Sequence, residues 1–143
     1  MKKTIFLSAL LAIGMTFTNC GSDDDTITDT NAPTISIISP DFNQTFSTDQ
    51  GSLLGAESVF LRAQGVDDIG VKTIKVTVTN SSGTVVFENT QNAPEQVNGF
   101  STTFTFGELY ETTNAGIYNA VFVVTDTSGN IGTSNPRTFT YED

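Results

Sequence analysis

The sequence contains no histidine and no tryptophan, and it contains a single cysteine. Without histidine the chain lacks the base of a Ser-His or Cys-His catalytic pair, and it lacks imidazole ligands for a metal. A single cysteine excludes a disulfide within the chain. Basic residues are also scarce, because 6 Lys and Arg stand against 16 Asp and Glu, for a net charge of −10. This charge argues against a nucleic-acid-binding protein, whose surface is typically basic.

Enzyme motifs are equally scarce. Neither a phosphate-binding Gly-rich loop nor a Cys/His zinc spacing is present. A glycosidase needs two carboxylates across a cleft, and although Asp and Glu are numerous, no pair stands out. We therefore expect a protein that is not an enzyme, with a small hydrolase as a remote alternative. The length of 143 residues gives room for one domain of ordinary size.

The N-terminus has the pattern of an export signal. Lys2 and Lys3 precede an uncharged, apolar run over residues 5–17. That run matches the apolar core of a signal peptide and is shorter than the roughly 20 residues that span a bilayer. The cysteine, Cys20, follows it directly. The alternative is an incidental thiol near a cleavage site.

This segment resembles the signal of bacterial lipoproteins, with Gly21 and Ser22 suiting the positions after the cysteine. The resemblance implies that residues 1–19 are removed and that Cys20 is lipidated as the first residue of the mature chain. The acidic triplet at 23–25 is similar to the export tag of Bacteroidota surface lipoproteins, which implies an outer-membrane, cell-surface location. The triplet is also compatible with a plain polar tether. Two or more acyl chains anchor a protein stably.

Residues 20–31 are polar and lack apolar periodicity, so we expect a flexible acidic tether. Residues 32–143 are rich in β-branched and aromatic residues, which favour strands, and show no helical stripe. The clearest alternation places Ile74, Val76 and Val78 on one face of a strand. The pattern predicts an all-β fold, a single Ig-like antiparallel β-sandwich of about seven strands. They are expected at 34–39, 59–65, 72–79, 84–89, 100–106, 117–125 and 138–141.

Two segments are less regular. Residues 41–57 are expected to form a long loop containing either a short strand or one helical turn, and residues 90–99 a polar loop.

Four stretches of the domain, at 33–37, 66–71, 116–118 and 125–130, resemble bacterial Ig-like domains of the fibronectin-III-like or cadherin-like type. The resemblance spans about residues 29–142. It implies a binding or spacing role rather than catalysis, because such domains are mostly scaffolds. It also implies that Tyr118 has the structural role of a tyrosine corner.

Acidic residues fall in three loops that an Ig-type sandwich brings to one end. Asp67 and Asp68 lie between the second and third strands, Asp126 and Asn130 between the last two, and Asp29 before the first. Ca²⁺ takes six to eight oxygen ligands, and these residues offer several. We therefore hypothesise a calcium site; the alternative is ordinary turn chemistry, which Asp and Asn favour.

Residues 29–33 are also similar to the calcium linker between cadherin repeats. Thr30, however, stands where that linker carries an acidic residue.

These patterns together predict a lipid-anchored, non-catalytic module for binding, adhesion or spacing at the cell surface, with a protein or glycan as partner. The alternative is an accessory glycan-binding component of an outer-membrane uptake system. Sugar sites often use aromatic platforms, and Tyr110 and Tyr141 are the aromatic candidates outside the expected core. Tyr110 is expected either to be exposed in a loop or to pack on the sandwich edge.

Overall fold

A computed structural model describes residues 28–49 and 55–143 of the chain. The predicted signal peptide, Cys20 and the acidic triplet lie outside these residues. The described part consists of strands and connections without a helix. It therefore contains no helix long and apolar enough to cross a membrane.

The described residues form eleven β-strands in chain order. Their bounds are β1 Thr34–Ser39, β2 Gln44–Ser47, β3 Val59–Val66, β4 Val71–Asn80, β5 Val85–Asn92, β6 Glu95–Gln96, β7 Gly99–Phe100, β8 Thr103–Tyr110, β9 Gly116–Asp126, β10 Ile131–Thr133 and β11 Arg137–Glu142.

Two main sheets pack face to face, as expected for a β-sandwich. The smaller sheet has the order β1-β3-β8, and the larger has the order β2-β11-β9-β4-β5, with β10 also paired to β9. Strand β2 runs parallel to β11, and the other pairings are antiparallel. Phe106 from one sheet and Phe122 from the other meet edge to face, with ring centroids 5.8 Å apart. The predicted all-β sandwich class is confirmed.

The alternation of side chains explains the longest strands. In β4 the predicted inward residues Ile74, Val76 and Val78 are fully buried, and β9 buries every second residue from Tyr118 to Asp126. Successive side chains of a strand point to opposite faces, so this period of two supplies one wall of the core. Residues 80–83 form the predicted turn, and β5 pairs back on β4 as a hairpin.

Some predicted bounds were wrong. The strand expected at 100–106 is divided, because Phe100 belongs to the short β7 and the long strand β8 begins at Thr103. The intervening residues instead turn toward the β3–β4 loop, where Asp67 N donates to Thr102 O at 2.9 Å. In the segment 41–57 the described residues contain the short strand β2, so the strand alternative is the right one.

The segment before β1 lies directly on the larger sheet. A Cβ atom added to Gly132 of β10 would stand 1.9 Å from Pro33 O, so only glycine lets the two backbones approach this closely. Residues 29–33 are therefore held at the end of the sandwich where β3 and β9 finish. We call this end, defined by Asp29, Asp67, Asp68 and Asp126, the acidic pole.

Candidate cation site

Three carboxylates converge at the acidic pole. One oxygen each from Asp29, Asp67 and Asp68 lie within 4.8 Å of one another. Asp29 comes from the segment before β1, whereas the other two come from the β3–β4 loop. The structure therefore brings together residues that are almost forty positions apart in the sequence, at the end where the topology was expected to place them.

Asp29 is buried but only partly satisfied by hydrogen bonds. Its side chain is buried, with 8% exposure, and its Oδ1 accepts the backbone N–H of Asn31 at 2.9 Å. Its Oδ2 is buried and has no hydrogen-bond partner among the described residues. A buried carboxylate oxygen without a partner is costly, because it has given up its water without compensation.

Asp67 and Asp68 are positioned by hydrogen bonds of the loop. Asp67 Oδ1 accepts the N–H groups of Ile69 at 3.0 Å and Gly70 at 2.7 Å, the pattern of an Asp that caps a turn. Asp68 is exposed, and its Oδ2 accepts Asn31 Nδ2 at 2.9 Å. Asn31 thus contacts both Asp29 and Asp68, and it holds the segment before β1 against the loop.

Asp126 and Asn130, also predicted as ligands, have a different role. Asp126 is fully buried, and its Oδ1 accepts the N–H groups of Ser128 and Asn130, each at 2.8 Å. Its Oδ2 accepts Asn130 Nδ2 at 2.7 Å. Burial acts to raise the pKa of Asp126, but the hydrogen bonds from Asn130, Gly129 and Ser128 outweigh it and lower the pKa below its usual value. These contacts are those of an Asp that stabilises a turn.

Asn130 connects this turn to the three converging carboxylates. Its Nδ2 also donates to the backbone oxygen of Asp29 at 3.1 Å. Asp126 therefore braces Asn130, and Asn130 in turn holds the backbone of Asp29. Of the five predicted residues, Asp29, Asp67 and Asp68 bring carboxylate oxygens together. Asp126 and Asn130 instead hold the backbone of Asp29 in place.

Within the described part of the chain, no cationic side chain forms an ion pair with the three carboxylates. The ion pair found among the described residues joins Lys75 and Glu88 on the β4–β5 hairpin. Like charges this close repel one another strongly where water is partly excluded. A divalent cation with oxygen ligands would relieve both the repulsion and the unpartnered oxygen of Asp29.

The aromatic candidates for a sugar platform lie elsewhere. Tyr110 ends strand β8 rather than lying in a loop, and it is buried, as is Tyr141. Neither offers a flat face to a glycan, so the packing alternative for Tyr110 is the right one. The most exposed aromatic ring in the described residues is Phe42, at 64%. Sequence reasoning missed it by assigning most Phe residues to the core, although its neighbours Asp41 and Asn43 are polar.

Tyr118 makes the contact expected of a tyrosine corner. Its hydroxyl donates to the backbone oxygen of Asn114, four residues upstream, at 2.8 Å.

A comparison of the chain with protein-family models and with curated proteins finds no match.

Proposed function

We propose that the chain is a lipid-anchored, non-catalytic module of the outer cell surface, and that its acidic pole binds Ca²⁺. The signal-like N-terminus with Cys20 supports the anchor, and the all-β sandwich supports a scaffold that binds or spaces rather than catalyses. The observation that carries the calcium proposal is the buried Asp29 Oδ2, which has no partner in the described part of the chain although Asp29 converges with two further carboxylates within 4.8 Å.

Calcium suits this site better than magnesium. Ca²⁺ accepts irregular sets of carboxylate, carbonyl and water oxygens, whereas Mg²⁺ demands a near-ideal octahedron. Three carboxylates from two connections, one of them exposed to solvent, form an irregular set. The ion would join the segment before β1 to the β3–β4 loop and so fasten the start of the domain to the sandwich.

Thermal melts of residues 21–143 in EDTA, Mg²⁺ and Ca²⁺ test this proposal. These residues include the whole described sandwich. Extracellular calcium modules have dissociation constants on the order of 10⁻⁴–10⁻³ M. A tenfold excess of Ca²⁺ over such a constant stabilises the folded state by about 1.4 kcal/mol, which raises Tm by about 5 °C for a domain of this size.

The variants separate ion binding from turn stability. We expect Asp29→Asn to abolish the calcium shift while raising Tm in EDTA, because it removes an uncompensated buried charge. Asp68→Asn should also abolish the shift. The matched control is Asp41→Asn, an exposed carboxylate outside the site, which should keep the full shift. Equal melting temperatures in EDTA and in Ca²⁺ would contradict ion binding and would leave the aspartates with the role of stabilising turns.

The anchor is tested in cells. We expect Cys20→Ser to release the chain from the membrane fraction, since acylation needs the thiol. Retention of the Cys20→Ser chain in that fraction would argue against lipidation at this residue.

A further inference from the structure

A groove lies on one flank of the sandwich, along β1. It opens between β1 and the connection from β10 to β11 and has a volume of about 370 Å³, near the lower end of ligand-binding cavities. Its lining includes Ile35, Ile37, Phe42, Pro136 and Arg137.

The groove has one apolar wall, which faces polar residues of the β10–β11 connection. Ile35 and Ile37 are half-buried side chains of β1 that pack against the edge of the core. Phe42 stands beside them with most of its ring in water. A ligand that covers these three side chains would remove a contiguous apolar surface from water, which favours binding. The ligand must therefore present hydrocarbon to the groove.

Arg137 gives the groove one positive charge. It is half-buried, and its guanidinium makes neither an ion pair nor a side-chain hydrogen bond with any described residue. This is notable in a chain where acidic residues far outnumber basic ones. Asp41, which precedes Phe42 of the lining, is exposed and forms no ion pair with Arg137. A guanidinium presents two parallel N–H groups that match a carboxylate.

We propose that this groove binds the C-terminal end of an extended peptide. The last side chain, which is apolar, packs on Ile35, Ile37 and Phe42, and the terminal carboxylate accepts hydrogen bonds from Arg137. Capture of a terminal carboxylate is a recurring mode of peptide recognition. The proposal is independent of calcium, because none of the groove residues belongs to the acidic pole.

The lining favours a peptide over an acidic sugar. A sugar needs several hydrogen-bonding side chains around its hydroxyls, but the groove offers few. The Ser134 hydroxyl already accepts the backbone N–H of Phe122 at 3.0 Å. Asn135 and Arg137 are the remaining polar side chains of the lining. One cation beside hydrocarbon fits one carboxylate beside an apolar side chain.

The test is an NMR titration of ¹⁵N-labelled residues 21–143 with N-acetyl-Ala-Leu as free acid and as C-terminal amide. A charge-assisted hydrogen bond predicts that the acid binds about 10- to 100-fold more tightly than the amide. The largest shifts should fall on the Arg137 side-chain Nε–H and on the backbone amides of Phe42 and Ile37. The same affinities are expected in EDTA and in Ca²⁺.

Two substitutions and a control sharpen the result. Arg137→Gln should remove the preference for the acid, and Phe42→Ala should weaken the acid and the amide alike. Both side chains are at least partly exposed, so the variants should keep the wild-type fold and spectrum. Arg62→Gln, which changes an exposed cation of β3 outside the groove lining, should change nothing.

Three outcomes would overturn the proposal. Equal affinity for acid and amide would remove the role of Arg137. Shifts confined to residues outside the groove would place the peptide elsewhere. Tighter binding of glucuronate than of the peptide acid, at the same amides, would identify the groove as a site for acidic glycans instead.

Discussion

The two ends of the sandwich bury polar groups in opposite ways. At the acidic pole the buried groups are charged carboxylates, and Asp29 Oδ2 lacks a partner among the described residues. At the other end, which we call the aromatic pole and define by Tyr110, Tyr118, Phe139 and Tyr141, the buried polar groups are neutral hydroxyls. The hydroxyls of the aromatic pole find partners within the protein, whereas at the acidic pole we propose that a cation supplies the missing partner.

The aromatic pole is closed by hydrogen bonds and ring contacts. The Tyr141 O–H lies within hydrogen-bond distance of two backbone oxygens, Glu57 O at 2.6 Å and Tyr110 O at 3.1 Å, and shares its single proton between them. Tyr118 and Phe139 stack with ring centroids 5.7 Å apart. A hydroxyl that donates to a carbonyl carries no net charge, so its burial costs less than that of a carboxylate. This difference predicts that low pH weakens the acidic pole, whereas high pH weakens the aromatic pole.

The largest effect should come from removing a ring at the aromatic pole. Phe139 is fully buried and contacts Phe46 and the three tyrosines. We expect Phe139→Ala to lower the free energy of unfolding by about 4 kcal/mol, from lost burial and the cavity that remains. Urea denaturation measures this, and the loss should be the same in EDTA and in Ca²⁺. A loss below about 1 kcal/mol would show that this end collapses around the gap.

A smaller effect is expected at the acidic pole from Asp126→Asn. An amide cannot accept Asn130 Nδ2 through its own NH₂ group, so we expect a loss of about 2 kcal/mol at neutral pH. The hydrogen bonds hold the pKa of Asp126 below its usual value. Its contribution is therefore present above the unfolded pKa of about 3.9 and is lost as the pH falls through the folded pKa.

Acid titration of stability checks this sign. The difference in unfolding free energy between wild type and Asp126→Asn should shrink as the pH falls below about 4. The control is Asp41→Asn, whose carboxylate is exposed and which should track the wild type. A difference that stays constant down to pH 2 would mean that packing, rather than charge, sets the cost.

The smallest effect should come from Tyr141→Phe, which removes one hydroxyl from the aromatic pole and should cost about 1 kcal/mol. Burial raises the pKa of Tyr141 to about 12, above the unfolded value near 10. The folded state therefore keeps its full contribution below pH 10 and loses it as the pH rises through 12. Tyrosinate absorbance and urea melts from pH 9 to 12 should show a shallower decline in Tyr141→Phe. Identical declines would assign the alkaline loss to other groups.

Strand prediction succeeded where alternation was long. β3, β4 and β9 each show at least three buried residues at every second position, and a period of two identifies a strand without reference to its neighbours. Strands β6, β7 and β10 have two or three residues, too few to show a period. The end of β8 at Tyr110 was not predicted for a related reason, because Gly and Thr residues around it interrupt the alternation.

The site was predictable in place but not in detail. The order of strands brings three connections to one end, which is why the acidic residues converge. The hydrogen-bond partner of each carboxylate oxygen depends on the direction of the N–H groups in the loop. The sequence does not reveal that direction for any given Asp. Asp126 and Asp29 are the same residue type at the same pole. Nevertheless, both carboxylate oxygens of Asp126 accept hydrogen bonds, whereas Asp29 Oδ2 has no partner among the described residues.

The direction in which the chain enters and leaves the sandwich determines how it responds to tension. β1 begins at the acidic pole, with Thr34 opposite Val66, and β11 ends at the aromatic pole, with Tyr141 opposite Gly116. A pull between residues 29 and 142 is therefore directed along the strands, across the hydrogen bonds that join them. Such a load shears many bonds together instead of unzipping them one by one. Mechanical resistance therefore follows from strand direction.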